Sequence, residues 1–328
     1  MRSWWRKASP EAVAATPAAA TGAHHAEQVL RRLEWKVIRR LDGLLQGDYR
    51  TLLRGAGLDL ADLREYQLHD DVRHIDWNVT ARMQVPHVRV YTEDREMSAW
   101  FLLDLSPSVD FGSGELRKRN VSAEFVAVLA RLLTRHGNRV GAMLYGAGVD
   151  TVIPTRNGRR HVLHLLHTML DRVAVESGPT RLSELLISAA SLIKRRSTVF
   201  VVSDFISEPG WDKALAHLAQ RHEVVAVRVL DPLELELPDL GLLTLRDAET
   251  GEQVVVDTHD AGFRKRFARV AAQREAELRE ALTRSAVDAL ELSTDADLVD
   301  AIVRFVDMRK RRSQLTSGGL PAHLRRAA

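Results

Sequence analysis

The feature of this sequence that most constrains its fold is a pair of continuous apolar runs, each of which leads into an aspartate. Residues 100–103 are Trp-Phe-Leu-Leu and precede Asp104, and residues 198–202 are Thr-Val-Phe-Val-Val and precede Ser203 and Asp204. Runs without polar alternation are typical of strands that are covered on both faces, as in parallel sheets. A chain with two such strands therefore needs helices on both sides of its sheet.

Segments with helical periodicity lie between and after these runs. Between residues 116 and 136, apolar side chains recur on one stripe, and Gly137 suits the end of that helix. The other patterns predict strands at residues 140–145, 149–153, 224–230 and 287–292, a hairpin at residues 242–256, and helices near residues 162–170, 182–193, 261–284 and 297–309. Alternating strands and helices predict an α/β fold with a mostly parallel sheet flanked by helices.

The rest of the chain divides around this domain. We expect a disordered leader at residues 1–24, an N-terminal helix with a short β elaboration at residues 25–98, the α/β domain at residues 99–308, and a basic flexible tail at residues 309–328. The leader is rich in Ala, Pro and Thr and lacks the apolar core of a signal peptide. The tail contains basic residues and no acid.

Composition narrows the classes of function. The 328 residues include no cysteine, which excludes disulfides, zinc–thiolate sites and thiol catalysis. No apolar run is long enough for a spanning helix. We therefore expect a cytoplasmic protein, or one held at the inner membrane through its partners. The basic tail leaves open binding to nucleic acid or anionic lipid, but a solvated tail is the simpler interpretation.

Oxygen-bearing side chains follow the two apolar runs. Asp104, Ser106 and Ser108 are spaced i, i+2, i+4, which in an extended loop turns all three toward one side. Asp204 follows the second run, and Thr180 begins a neighbouring helix after Gly178-Pro179. Because ligands bind in open α/β sheets at the carboxyl ends of the strands, we expect these five residues to form one site.

Two carboxylates and three hydroxyls form an oxygen-only set of ligands. Such a set favours Mg²⁺, or Mn²⁺, over Zn²⁺. Hydroxyl and water ligands leave the ion electron-poor, so it would attract an acidic oxygen from a partner protein. This chemistry predicts recognition without a general base.

These same residues resemble a known site. Asp104-Leu105-Ser106-Pro107-Ser108, with Thr180 and Asp204, is similar to the metal-ion-dependent adhesion site of von Willebrand factor A domains, which holds Mg²⁺. Phe205 stands where those domains carry Gly. An upstream block resembles the signature of the domain of unknown function 58 family, and its residues here are Arg64, Glu65, Tyr66, Asp70, Asp71, Arg73, Asp76, Trp77 and Arg82.

The resemblance implies a von Willebrand factor A-like (Rossmann-like) fold and an association with MoxR-type AAA+ ATPases. It implies a non-catalytic adaptor that binds such an ATPase, or its client, and assists the assembly or maturation of other proteins. The alternative from the residues themselves is a Mg²⁺-dependent phosphoesterase that uses Asp104 and Asp204. We interpret the upstream block as structural, with Asp–Arg pairs and with Trp77 and Tyr66 as packing residues and not residues that stack on a ligand. Its paired carboxylates leave open a role in acid–base catalysis.

Overall fold

The computed structural model describes most of the chain after the leader. The described residues are 26–38, 40–41, 62–67, 72, 75–90, 98–114, 116–172, 178–247 and 250–317. The predicted leader and the end of the predicted tail lie outside them.

The described elements alternate between strands and helices, as expected. The strands are β1 (Asp62–Glu65), β2 (His87–Val90), β3 (Ser98–Asp104), β4 (Arg139–Tyr145), β5 (Val149–Arg156), β6 (Thr198–Ser203), β7 (Glu223–Leu230), β8 (Leu242–Arg246), β9 (Gln253–Asp257) and β10 (Asp288–Ser293). The helices are α1 (Trp77–Met83), α2 (Lys118–Arg135), α3 (Arg159–Leu170), α4 (Leu182–Leu192), α5 (Trp211–Arg221), α6 (Ala261–Arg284) and α7 (Leu298–Ser317), preceded by helical residues 26–38.

A six-stranded sheet in the order β10-β7-β6-β3-β4-β5 forms the centre of the domain. Its neighbouring strands are parallel except for the β4–β5 hairpin, so the predicted mixed α/β fold with a mostly parallel sheet is confirmed. The two apolar runs became β3 and β6, which pair directly, with Leu103 opposite Val202. Their carboxyl ends therefore lie side by side at one edge of the sheet.

Successive residues of the central strands enter two separate apolar layers, because side chains alternate across a sheet. Phe101 and Leu103 face α2, α3, α7 and the N-terminal helix, whereas Trp100 and Leu102 face α4, α5 and the end of α6. Phe101 stacks on Phe200 across the β3–β6 pair, with ring centroids 5.4 Å apart. Both faces of the sheet are thus covered, which explains the absence of polar alternation in these strands.

The N-terminal helix and α7 join the first of these layers. Leu30 and Leu41 of the N-terminal helix are fully buried in it, so this helix belongs to the core of the α/β domain. Helix α7 continues past the predicted start of the tail to Ser317. Arg309 is only 6% exposed and pairs with Glu223 and Asp288, because the helix passes over the edge of the sheet. The predicted boundary at residue 309 is therefore corrected: this residue is part of the folded domain.

Two smaller antiparallel sheets lie outside the central one. β1 pairs with β2 in the predicted elaboration, and β8 pairs with β9 in the predicted hairpin. None of the helices in the described part of the chain is long and apolar enough to cross a membrane.

A buried histidine at the opposite edge of the sheet generates a prediction about stability. His222 joins α5 to β7, is 4% exposed, and has no hydrogen-bond partner for either ring nitrogen among the described residues. Burial, with help from Arg221 and Arg196, lowers its pKa below 6.5. The folded protein therefore takes up this proton less readily than the unfolded chain, and stability falls as the pH drops below about 6.5.

We expect His222→Leu to raise the free energy of unfolding by about 1–3 kcal/mol, since it removes an unsatisfied buried polar group. The gain should be larger at pH 5.5 than at pH 8, measured by urea unfolding. His217→Leu, on the exposed side of α5, is the control and should show no such pH-dependent gain. A gain from His222→Leu that is the same at both pH values would contradict the assignment.

Candidate metal centre

Asp104 and Asp204 are brought together by the β3–β6 pairing. Asp104 is the last residue of β3, and Asp204 follows the last residue of β6. Their exposed fractions are 1% and 4%. Two carboxyl groups are therefore buried at adjacent strand ends, and the charge of Asp204 acts on Asp104.

Protein donors hold both oxygens of Asp104. The backbone N–H of Ser106 donates to Oδ1 at 3.0 Å, and the hydroxyl of Ser203 donates to Oδ2 at 2.6 Å. The Ser203 oxygen in turn accepts a hydrogen bond from the backbone N–H of Phe205 at 2.9 Å. Ser203 thus links the two strand ends. The sequence did not single it out because it continues an apolar strand.

Ser106 and Ser108 lie next to Asp104, although the loop is not fully extended as predicted. Ser106 has an extended backbone, and the chain then forms a 3₁₀ turn over Pro107–Asp110. Pro107 favours this turn because its fixed φ suits the first helical position. The two serine hydroxyl oxygens are 3.2 Å apart, and both side chains are buried. The turn therefore replaces the predicted extended loop but keeps these hydroxyls together.

The loop that carries Thr180 is tied to both neighbouring strand ends. The backbone N–H of Arg181 donates to the hydroxyl oxygen of Tyr145, which is paired with Asp104 in the sheet, at 2.8 Å. The Thr180 carbonyl accepts from the hydroxyl of Ser207 and the N–H of Glu208, both at 2.9 Å. Thr180 itself is 1% exposed. These bonds place the Thr180 loop against the loops that follow β4 and β6.

The chain turns sharply after Asp204. Phe205 has φ of 59°, in the left-handed region that favours glycine. Its ring is buried against Trp211, with centroids 5.1 Å apart. Packing therefore stabilises a conformation that costs a non-glycine residue about 1–2 kcal/mol. This explains how phenylalanine is accommodated where the resembled site has glycine.

A lysine that no sequence pattern indicated completes the cluster. Lys118, the first residue of α2, is 0% exposed. Its ammonium donates to Oδ2 of Asp204 at 2.7 Å and to Oε1 of Glu234 at 2.5 Å. The other oxygen of Asp204 accepts from the N–H of Ile206 at 3.0 Å. Asp204 is thus held between a buried cation and a backbone donor.

The charges of the cluster act on one another. Burial, and next the charge of Asp204, raise the pKa of Asp104 to about 6 despite the hydrogen bonds from Ser203 and Ser106. Burial alone would lower the pKa of Lys118, but Asp204 and Glu234 outweigh it, and the pKa of Lys118 is raised. The cluster thus contains three carboxyl groups, of Asp104, Asp204 and Glu234, around one ammonium.

The donor set fits a hard cation. Among the described residues, no group of three or more His, Cys, Asp or Glu is arranged to hold a metal, so any ion here depends on hydroxyl ligands. Adjacent ligands of an octahedral Mg²⁺ lie about 3 Å apart, given bonds of about 2.0–2.1 Å. The 3.2 Å between the Ser106 and Ser108 hydroxyls is close to that spacing. Asp104, Ser106 and Ser108 are therefore the residues best placed to hold Mg²⁺.

The upstream signature block is only partly described. Asp70, Asp71 and Arg73 lie outside the described residues, as does the side chain of Arg64. Asp76 accepts from the N–H groups of Asn78 and Val79, and so caps α1. Trp77 is 69% exposed, which differs from the packing role that we expected. Among the rest, Tyr66 is half-buried, and Glu65 and Arg82 are exposed.

Comparison with known families agrees with this signature. The model of the family described as "Protein of unknown function DUF58" matches residues 62–277. The chain belongs to the DUF58 family. Uncharacterized proteins of Mycobacterium bovis and Mycobacterium tuberculosis are each 39% identical to it over 288 residues, covering 86% of this chain and 89% of theirs. A Mycobacterium avium protein is 36% identical over 49% of this chain and 95% of its own length.

Solved structures resemble this DUF58 protein more distantly. BatB from Bacteroides thetaiotaomicron has a TM-score of 0.42 and 15% identity, over 66% of this chain and 99% of its own. An aerotolerance-related membrane protein from Bacteroides fragilis has a TM-score of 0.44 and 13% identity over the same shares.

The raised pKa of Asp104 generates a prediction for the metal-free protein. Its carboxyl is more readily protonated in the folded state than in the unfolded chain, where the pKa is near 3.8. The folded state is therefore favoured below about pH 4, and this contribution is lost as the pH rises through 6. The contribution of Asp104 to the free energy of unfolding that is lost in this way is on the order of 3 kcal/mol, since one pKa unit corresponds to about 1.4 kcal/mol.

We expect Asp104→Asn to remove this loss, because the amide keeps the shape without the charge. In chelator-treated protein the variant should melt higher than the wild type at pH 7.5, and the difference should shrink at pH 4.5. Asp239→Asn, at an exposed position, is the control. A variant that melts lower than the wild type at pH 7.5 would contradict the electrostatic argument.

Proposed function

We propose that this DUF58 protein is a non-catalytic adaptor that binds a protein partner through Mg²⁺ held at the carboxyl edge of its sheet. The observation that carries the proposal is the buried cluster of Asp104, Asp204 and the Ser106–Ser108 hydroxyls. It offers a divalent cation enough oxygen ligands to bind but few negative charges. The ion would keep its remaining positions for water and for an acidic side chain of the partner.

The sheet topology supports a von Willebrand factor A-like domain. The chain reverses its strand order beside β3, since β4 lies on one side and β6 on the other. In open α/β sheets the crevice at such a switch point is the usual place for a ligand. Asp104 stands at the carboxyl end of β3, at this crevice.

The family resemblance suggests the partner. A MoxR-type AAA+ ATPase, or a client of that ATPase, would present the acidic side chain, and the adaptor would assist the assembly or maturation of other proteins. Mg²⁺ is the first candidate ion, and Mn²⁺ is accepted by the same kind of site. These identities rest on the resemblance and on the ligand chemistry.

The proposal predicts stabilisation by Mg²⁺. An ion that binds only the folded protein raises the melting temperature, and at 100 times its Kd it adds about 2.7 kcal/mol. We expect millimolar Mg²⁺ to raise the melting temperature of the wild type, with little effect on Asp104→Ala or Ser106→Ala/Ser108→Ala. Capture of a MoxR-type ATPase should likewise require both Mg²⁺ and Asp104. Asp239→Ala is the matched surface control, and capture that survives chelation and Asp104→Ala would refute the metal-mediated function.

One further variant, Asp204→Ala, distinguishes the phosphoesterase alternative. Two carboxylates at one metal can support hydrolysis. In this structure, however, both oxygens of Asp204 already accept hydrogen bonds, one from the Lys118 ammonium and the other from the Ile206 N–H. Hydrolysis of a phosphoester that needs Mg²⁺ and is lost in Asp204→Ala would favour the enzyme over the adaptor.

A further inference from the structure

The candidate metal centre already contains one cation that belongs to the chain. Lys118 is fully buried, and its ammonium lies 2.7 Å from Asp204 and 2.5 Å from Glu234. Asp204 is itself fully buried, whereas the Glu234 side chain is 22% exposed. The lysine therefore connects Asp204, in the buried part of the site, to Glu234 at its solvent-exposed rim.

A buried ammonium is costly unless its partners compensate for lost hydration. Here two carboxylates compensate for one ammonium, and the ammonium nitrogen also lies over the ring of Phe111, 5.9 Å from the ring centroid. The backbone also fixes the lysine in place: its N–H donates to the carbonyl of Phe111 at 2.9 Å, immediately after the Ser106–Ser108 turn. The ammonium is thus positioned by the same loop that carries the proposed metal ligands.

The position of this ammonium controls the charge of the site. Counted by formal charge, the carboxylates of Asp104, Asp204 and Glu234 contribute three negative charges, and the Lys118 ammonium reduces the net formal charge to minus two. Mg²⁺ would bring the cluster to neutrality. Without Lys118, the loaded cluster would remain negative and would repel an incoming carboxylate.

We propose that Lys118 is the resident cation of this site, with two effects. It holds Asp204 in place when no divalent ion is present, and it weakens the attraction of the site for Mg²⁺ so that the loaded site accepts an outside carboxylate. The second effect rests on the proposed function, whereas the first does not. Glu234, at the rim, sets how much of the lysine's charge is cancelled.

The proposal predicts opposite effects of two substitutions on Mg²⁺ affinity, measured by calorimetric titration of the full chain. Lys118→Met keeps the length of the side chain and removes its charge, and should bind Mg²⁺ at least about tenfold more tightly, since a nearby charge in a partly buried site acts strongly. Glu234→Gln should bind Mg²⁺ more weakly by a similar factor. The double variant, which has the net charge of the wild type, should return close to wild-type affinity.

A merely structural lysine would give a different pattern. Both single variants would then weaken Mg²⁺ binding, and the double variant would be worse than either, which would overturn the second effect. Because Glu234 lies at the rim, Glu234→Gln should fold even if Lys118→Met does not. Unchanged or tighter Mg²⁺ binding by Glu234→Gln would also overturn it.

Melting temperatures in chelator test the first effect independently of Mg²⁺. Lys118→Met should melt lower than the wild type, because Asp204 is left buried without a counter-charge, and adding Asp204→Asn should restore part of the loss. If Lys118→Met melts like the wild type, or if Asp204→Asn restores nothing, the resident-cation role is refuted. If this rescue is seen but no protein in the series binds Mg²⁺, the proposed function fails while the resident-cation role stands.

Discussion

The architecture of this protein depends on one electrostatic constraint: parallel pairing of β3 and β6 buries two aspartates at adjacent strand ends. Each carboxylate is costly to bury, and each makes the other costlier. Hydrogen-bond donors from the backbone and side chains compensate for the lost hydration of these carboxylates. They include the Ser203 hydroxyl, which donates to Asp104, and the Lys118 ammonium, which donates to Asp204. The surrounding loops are arranged around this compensation.

The loops at this edge are joined to one another by hydrogen bonds. Tyr145 at the end of β4 holds the N–H of Arg181, and Ser207 after β6 holds the Thr180 carbonyl. One strand further along, Asp231 after β7 accepts from both Ser113 and Thr294. Because the loops are hydrogen-bonded in pairs, a substitution at one proposed ligand should also shift the positions of residues in the neighbouring loops. A site of this kind is preorganised on a rigid sheet, which lowers the cost of binding.

The sequence was sufficient to predict those elements of the fold whose residues follow a regular apolar pattern. Continuous apolar runs predicted β3 and β6, helical spacing predicted α6 at its observed bounds, and strand ends predicted where Asp104 and Asp204 lie. Lys118 could not be found in this way, because it stands within Arg117-Lys118-Arg119, where each side chain reads as solvated. Only the direction of the first turn of α2 decides which of the three points inward. The same holds for Trp77, whose aromatic ring suggested packing but whose short helix has no buried residue.

The chemistry of the site follows from how its charges are divided. A metal centre built only from carboxylates binds its ion tightly and neutralises the charge of the ion. The ion then has little tendency to bind a further carboxylate from a partner. Here hydroxyls replace further carboxylates, and a lysine offsets one of the acids that are present. The hydroxyl ligands and the lysine both lower the negative charge around the ion, and they leave in place the geometry that would hold it. If Mg²⁺ binds as proposed, this protein supplies fewer carboxylate ligands than the ion can accept, and a partner would supply the missing carboxylate.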